Sequence, residues 1–315
     1  MIDFFKSIVV IDDTKQIRTN PLLDWNETYN CNTTELRNPK ATFNSLELEF
    51  KSQHLLEISG SLHKYYNHIK GIVAPNQNDS NKHKGFNGNQ FSLVGIDFAL
   101  KHLENALNLP LNQFKLQNLE FGLNIENEFN TSQILNGLML HKGETFNKPL
   151  QNTYREAEHQ RYYVKIYDKA LQYGMQGNIL RIENKYRKAI SINAFGIKTL
   201  ADINKNTLYE LFKDLVETFN DIIIFDYTID KTKLSSRQIT KLKDYSNENF
   251  WTSLNKIQMY RANKKHNEII ANFSMNIKAK IIEKMFDIFI LLNKKCIPIN
   301  SSGKKRPKKT KMYTH

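Results

Sequence analysis

Cysteine is nearly absent from this chain, and the two present, Cys31 and Cys296, lie far apart with no CxxC spacing. That excludes a disulfide scaffold, argues against a zinc module and fits a reducing, cytoplasmic setting. The opening residues do not read as an export signal either. The chain opens Met1, Ile2, Asp3, with an acid where a signal peptide needs positive charge, and its apolar run is broken by Lys6 and closed by Asp12 and Asp13. These residues read as a strand. No apolar run approaches the ~20 residues that a membrane span needs; the longest, 285–292, contains Asp287. The expectation is a soluble protein with no membrane partner. Proline is missing between Pro149 and Pro298, which permits long uninterrupted elements.

What is abundant is positive charge. Across 315 residues the net charge is +13, with a pI of 9.4, while 40% hydrophobic and 24% charged residues are ordinary for a folded chain. Excess Lys and Arg draw in phosphate-bearing partners, although basicity alone does not choose between DNA, RNA and an anionic membrane. Part of the excess is terminal: Lys304, Lys305, Arg306, Lys308, Lys309 and Lys311 occur with no acid, and removing these six takes +13 to +7. Residues 296–315 therefore read as a disordered basic tail, either a sequence-independent phosphate contact or a solubilising end.

Short alternating runs separated by polar, Asn-rich connections dominate up to about residue 200. Alternation predicts strands with one wet face at 46–50, 55–62, 116–125, 162–169 and 178–185. Ile96, Leu100, Leu103 and Leu107 share one helical stripe ended by Pro110. A second helix is expected over 131–141 with Thr131 or Ser132 as N-cap, and 67–89 reads as a long basic loop. From 201 to 295 the period becomes helical, as in Leu208, Leu211, Phe212, Leu215 and Phe219, with one further short strand at 222–225.

Four segments can carry chemistry. On a strand over 161–169, Arg161, Tyr163, Lys165, Tyr167 and Lys169 share one face, which stands Tyr167 among cations. A phenol with a pKa of about 10 is a weak nucleophile, and nearby positive charge favours the phenolate and binds a scissile phosphate. The plainer reading is a solvated strand on which Tyr and Lys alternate. Glu120 lies on the polar face of its strand beside Gly122, which lets a ligand approach, so it is a Mg²⁺ or Mn²⁺ ligand or a surface acid. Glu183 shares a face with Arg181 and Lys185 and is a second metal ligand or an ion-pair partner. His63 follows Ser59, Gly60 and Ser61 on a wet face, with Gly60 marking close backbone approach; it is a ligand or a structural histidine, and so is His159.

Taken in order, these segments resemble the replication initiators of filamentous phages (gene II/X type) and the related Rep_trans plasmid initiators. The resemblance runs over residues 1–205: the opening Met1, Ile2, Asp3; the stretch from Ile58 to His63; Gly88 and Asn89; the strand bearing Glu120; Lys165, Ile166, Tyr167, Asp168, Lys169; then Leu180, Arg181, Ile182, Glu183; and last Gly196, Ile197, Lys198, Thr199, Leu200, Ala201, Asp202. It implies an α+β fold: an antiparallel split-palm, relaxase-like sheet with flanking helices forms a nicking domain over 1–200, ahead of the helical region. It further implies metal-dependent nicking of one strand at a phage or plasmid origin, giving a 5′-phosphotyrosine and a 3′-OH that primes rolling-circle replication, in a bacterial host whose helicase and polymerase are further partners. In the phage branch the nucleophile is a Tyr two positions before a Lys, which is Tyr167 before Lys169; the plasmid branch would put it at Tyr154. The histidine, hydrophobic, histidine motif of such metal sites is missing, which leaves Glu120, Glu183 and then His63 as ligands. Lys165 and Lys169 would stabilise developing charge, and the C-terminal helices and basic tail would bind the origin.

Three other functions compete. A conjugative relaxase shares the chemistry, a water-using metal nuclease would keep Glu120 and Glu183 without needing Tyr167, and a non-catalytic DNA- or RNA-binding protein would need no metal.

Overall fold

A computed structural model describes residues 1–27, 38–75, 85–148 and 153–294. The five cations Lys304, Lys305, Arg306, Lys308 and Lys309 lie outside the described residues. The strands are β1 (Ile2–Val10), β2 (Asp24–Asn26), β3 (Lys40–Phe43), β4 (Leu46–Ser52), β5 (Leu55–Ser61), β6 (Lys115–Asn127), β7 (Leu138–His141), β8 (Glu144–Thr145), β9 (Tyr154–Glu158), β10 (Tyr162–Asp168), β11 (Asn178–Tyr186) and β12 (Ile222–Ile224). Nine of them form one antiparallel sheet in the order β2-β3-β4-β5-β1-β6-β11-β10-β9, and β12, β7 and β8 form a second. The helices are α1 (Thr14–Arg18), α2 (Leu62–Ile69), α3 (Leu93–Leu107), α4 (Thr131–Asn136), α5 (Lys169–Tyr173), α6 (Ala189–Asn193), α7 (Lys205–Asp221), α8 (Ser236–Tyr245), α9 (Glu248–Thr252), α10 (Lys256–Phe273) and α11 (Ile277–Asn293). The fold is α+β, with a large antiparallel sheet, flanking helices and a helical C-terminal region, as the alternation and the later change of period predict.

Period-2 patterning separates the two faces of the large sheet. Leu119, Phe121, Leu123 and Ile125 of β6, Val164 and Ile166 of β10, and Leu180 and Ile182 of β11 are all buried in the main core. On β6 they meet α7 and α11, whose Phe212 and Phe289 rings stack at 4.0 Å between centroids. The other face carries Glu120, Asn124, Lys165, Tyr167, Arg181 and Glu183, and the site is built there. A second, smaller core gathers Leu242, Tyr245, Trp251, Ile269 and Ile270 of α8, α9 and α10 with Met139, Leu140 and Ile223 of the small sheet. Between the two cores Asp226, itself buried, accepts hydrogen bonds from Thr228 Oγ1 at 2.6 Å, Ser274 Oγ at 3.0 Å and the Ile277 amide at 2.9 Å.

Two elements differ from expectation. The helix predicted over 131–141 stops at Asn136, and its second half is the buried strand β7, paired with β12. Gly137 ends it: a Cβ there would lie 2.5 Å from the Phe225 carbonyl oxygen, and strand pairing outweighs the helical spacing of Leu135, Leu138 and Met139. Its N-cap is Asn130, whose side chain accepts from the Gln133 amide, rather than Thr131 or Ser132. The long loop predicted over 67–89 begins instead inside α2, where Leu62, Tyr65, Tyr66 and Ile69 make a helical stripe. No helix among the described residues is long and apolar enough to cross a membrane.

Candidate active site

Strand register assembles the polar face. Across β10, β11 and β6, Lys165 stands opposite Glu183 and Glu183 opposite Gly122, while Lys185 is opposite Glu120 and Arg181 opposite Asn124. On the outer side Tyr167 is opposite Tyr154 of β9, their rings 5.5 Å apart. Gly122 does not make room for a ligand as its position suggests. A Cβ there would meet the Glu183 Cβ at 2.4 Å and the Ile182 carbonyl oxygen at 2.4 Å, so the glycine lets β11 carry Glu183 close against β6. Gly122→Ala is expected to destabilise the fold by about 1–3 kcal/mol through forced strand separation, read from the midpoint of urea unfolding. Gly60 does mark close backbone approach: a Cβ would lie 2.5 Å from the Ser45 carbonyl oxygen.

Asp3, which alternation does not mark as a site residue, also joins the site. The pairing of β1 with β6 slips between Ile2 and Phe5, and Asp3 sits in that irregularity, buried. One carboxylate oxygen from each of Asp3, Glu120 and Glu183 lies within 4.8 Å of the others. Positive charge surrounds this trio. Lys165 reaches Glu120 at 2.9 Å and Glu183 at 3.6 Å, Lys185 reaches Glu120 at 3.0 Å, and Arg181 reaches Glu183 at 2.9 Å and Asp3 at 3.6 Å. Burial and the neighbouring Glu183 raise the Glu120 pKa. For Asp3, burial works in the opposite direction but is outweighed by Arg181, Lys169 and His63, which hold its carboxyl below the usual range. Burial also disfavours the charge on Lys165, yet Glu183 and Glu120 keep its pKa above the ordinary lysine value.

Tyr, Asp and Lys at 167–169 form a local device. Tyr167 is the last residue of β10 but one; Asp168 then caps α5 by accepting from the Leu171 amide at 2.8 Å, which ends the strand and folds Lys169 back. Lys169 Nζ comes within 3.4 Å of the Tyr167 hydroxyl and donates to Asn87 Oδ1 at 2.7 Å. Asn87 reaches the site because Asn124 Nδ2 donates to the carbonyls of Asn87, Gly88 and Asn89, pinning that loop over the sheet. Its own Nδ2 donates to Asp3 Oδ2 at 2.6 Å, and Ser61, the N-cap of α2, donates to Asp3 Oδ1. Composition gave no signal for Asn87, because nothing periodic marks that loop.

These groups line one cleft of 560 Å³, which includes Asp3, Glu120, Tyr154, Lys165, Tyr167 and Lys169. Tyr167 is half-buried, and its ionisation runs opposite to the expectation from spacing: burial first, then Glu183, raise the phenol pKa well above 10, against a smaller lowering by Arg181. Tyr154 donates its hydroxyl proton to Glu156 at 2.6 Å, and burial together with that bond raises its pKa too. Burial lowers Lys169 from 10.5 to about 7, with the Asp3 charge opposing.

The donor set suits a hard divalent cation, which prefers carboxylate oxygens. Lys165 and Lys185 both engage Oε1 of Glu120, and Oε2 accepts from no protein donor among the described residues. Asp3, Glu120 and Glu183 can therefore hold a metal ion. His63 lies near enough to Asp3 to act on its charge but does not join the trio of oxygens: its ring stacks on Phe91 at 4.7 Å, its Nε2 meets Asn89 Oδ1 at 2.8 Å, and burial lowers its pKa. His159 is likewise elsewhere, 2.7 Å from Nδ1 of His141.

No family model and no curated protein matches the chain. Among solved structures it is similar to a rolling circle replication initiator protein from Geobacillus stearothermophilus, at 8% identity and a TM-score of 0.37, over 78% of this chain and 96% of that one.

Proposed function

We propose that this chain is a replication initiator that nicks one DNA strand at an origin by attack of Tyr167 on the scissile phosphate. The observation that carries the reading is the meeting, in one open cleft, of a phenol, a buried lysine 3.4 Å from its oxygen and three carboxylates that can hold a cation. Asp3, Glu120 and Glu183 would hold Mg²⁺ or Mn²⁺, which would supply Lewis-acid polarisation of a phosphate oxygen. Lys165, kept charged by Glu183 and Glu120, faces the same cleft and attracts the phosphate.

Tyr167 Oη forms its bond to phosphorus as the bond from phosphorus to the 3′ oxygen breaks. The phenol proton passes to the Lys169 amine, and the departing 3′ oxygen takes a proton from solvent. The products are a 5′-phosphotyrosine and a 3′-OH that a host polymerase extends once a host helicase opens the duplex, both in the cytoplasm of the bacterial host.

The test incubates the full chain with 3′-end-labelled single-stranded DNA and Mn²⁺ and separates the products on a denaturing gel. Label carried on the protein supports the reading. Cleavage with all label on free DNA supports the rival in which water attacks, which the raised Tyr167 pKa favours, and no cleavage supports a binding protein alone.

Lys169 gives the pH dependence its sign. Below about 7 its amine already holds a proton and cannot accept the phenol's; above about 7 it is free. Transfer of label to protein should therefore rise about tenfold per pH unit up to about 7 and level off above it. Lys169→Arg, which stays protonated, should be slow throughout with no such rise. A wild-type rate that is flat from pH 5.5 to 8.5 would remove Lys169 from the proton path.

A further inference from the structure

A wider groove, of 740 Å³, is formed away from the acidic trio by α8 and α10. Its floor is apolar, with Tyr245, Phe250, Ile269 and Phe273, and its rim carries Arg237, Lys241, Arg261 and Lys265 with Glu268 as the one acid. Lys241 pairs with Asp244 at 3.1 Å, whereas Arg237, Arg261, Lys264 and Lys265 have no acidic partner among the described residues. The wider segment shows the same bias: residues 230–273 hold nine Lys and Arg against four Asp and Glu.

Beside the rim, on the same helix, Ile257 is 65% exposed and Tyr260 72% exposed, with Lys264 completing the i, i+3, i+7 stripe. Ile257 and Tyr260 take no part in the smaller core, to which α10 contributes Ile269 and Ile270. Large apolar side chains left bare among unpaired cations on a well-capped helix fit a polyanion with apolar edges between its charges. An acidic peptide would satisfy the rim but has no need of a rigid 18-residue helix that projects Tyr260 outward. Duplex DNA uses both, phosphates against the rim and base edges or sugars against the stripe.

We propose that the groove between α8 and α10 seats the sugar-phosphate backbone of duplex DNA, with the exposed face of α10 turned into the adjoining DNA groove. This rests on the nicking reading only for its biological purpose, since it locates the duplex-binding surface away from the cleft that cuts.

The test measures binding of the full chain to a fluorescein-labelled 30-base-pair duplex of mixed sequence by anisotropy between 50 and 300 mM salt. The Arg261→Ala/Lys265→Ala variant, altered at exposed positions, is compared with the control Lys205→Ala/Lys213→Ala on α7, which loses the same charge. Thermal unfolding verifies that both fold. The groove variant should bind at least tenfold more weakly at 150 mM, with a log–log salt slope shallower by about 1–2, as expected for one or two lost phosphate contacts at about 0.9 each. Equal losses in the two variants would overturn the proposal, because binding would then follow net charge. So would unchanged affinity, or displacement of a labelled acidic peptide from the groove without any duplex binding. Cleavage of single-stranded DNA is assayed in parallel: if it is absent while the groove variant still loses duplex affinity, the nicking reading fails and this one stands.

Discussion

Tyr167→Phe should fold, bind duplex DNA as the wild type does and transfer no labelled DNA to itself. The substitution removes one oxygen. Its ring keeps the 5.5 Å contact with Tyr154 and the 5.1 Å approach of the Lys169 ammonium, and the hydroxyl's hydrogen bond with Lys169 is a long one at 3.4 Å, so the stability change should stay within about 1 kcal/mol. Removing a covalent nucleophile acts on another scale, at least about 10⁴-fold in rate. Tyr154→Phe is the matched comparison. It breaks the 2.6 Å bond to Glu156, which should loosen β9 while leaving transfer largely intact. If transfer survives in Tyr167→Phe and disappears in Tyr154→Phe, the two roles are exchanged; if it survives in both, no tyrosine of this cleft is the nucleophile.

The largest stability loss is expected for Arg181→Met. Arg181 is 2% exposed and is the charge that Asp3 and Glu183 share. Methionine fills much of the same volume but leaves two buried carboxylates without it, a change that costs about 3–5 kcal/mol. The pH dependence follows from Asp3. In the wild type its folded pKa is depressed, so it contributes stability above the unfolded carboxyl range, lost as the pH falls through the folded value. Without Arg181 that depression shrinks, so the gap between variant and wild type in urea unfolding should narrow as the pH falls from 7 towards 4. Mn²⁺ should narrow it too, by replacing the missing positive charge among the carboxylates. A gap that ignores both acid and Mn²⁺ would mean that Arg181 matters for its packing and not for its charge.

Much of the sheet was legible because a half-exposed strand writes its two faces in alternation, as β6, β10 and β11 do. Tyr167, Lys165, Glu120 and Glu183 could be placed on polar faces for the same reason, and strand register brings them together. What alternation cannot supply is the partner across a pair or the effect of one irregular residue. Asp3 was missed because a slip in the β1–β6 ladder puts an acid of an apolar run among the carboxylates. The direction of the Tyr167 shift runs against the spacing because burial, its main cause, is invisible along one strand, and the opposing acids Glu183 and Glu120 come from β11 and β6. Helix α2 had a readable stripe at Leu62, Tyr65, Tyr66 and Ile69, obscured by the Asn-, Lys- and His-rich residues that follow it. The groove between α8 and α10 depends on how the helices α8, α9 and α10 close around Trp251, which local patterning does not specify.

The carboxylate of Asp226 touches both ends of the segment that carries α8 to α10, at Thr228 before it and at Ser274 and Ile277 after it. The helices from α8 to α10 thus leave and rejoin the main body at a single seam, as a cassette whose two ends nearly meet. Such a segment is tied to the body through one carboxylate at both of its ends.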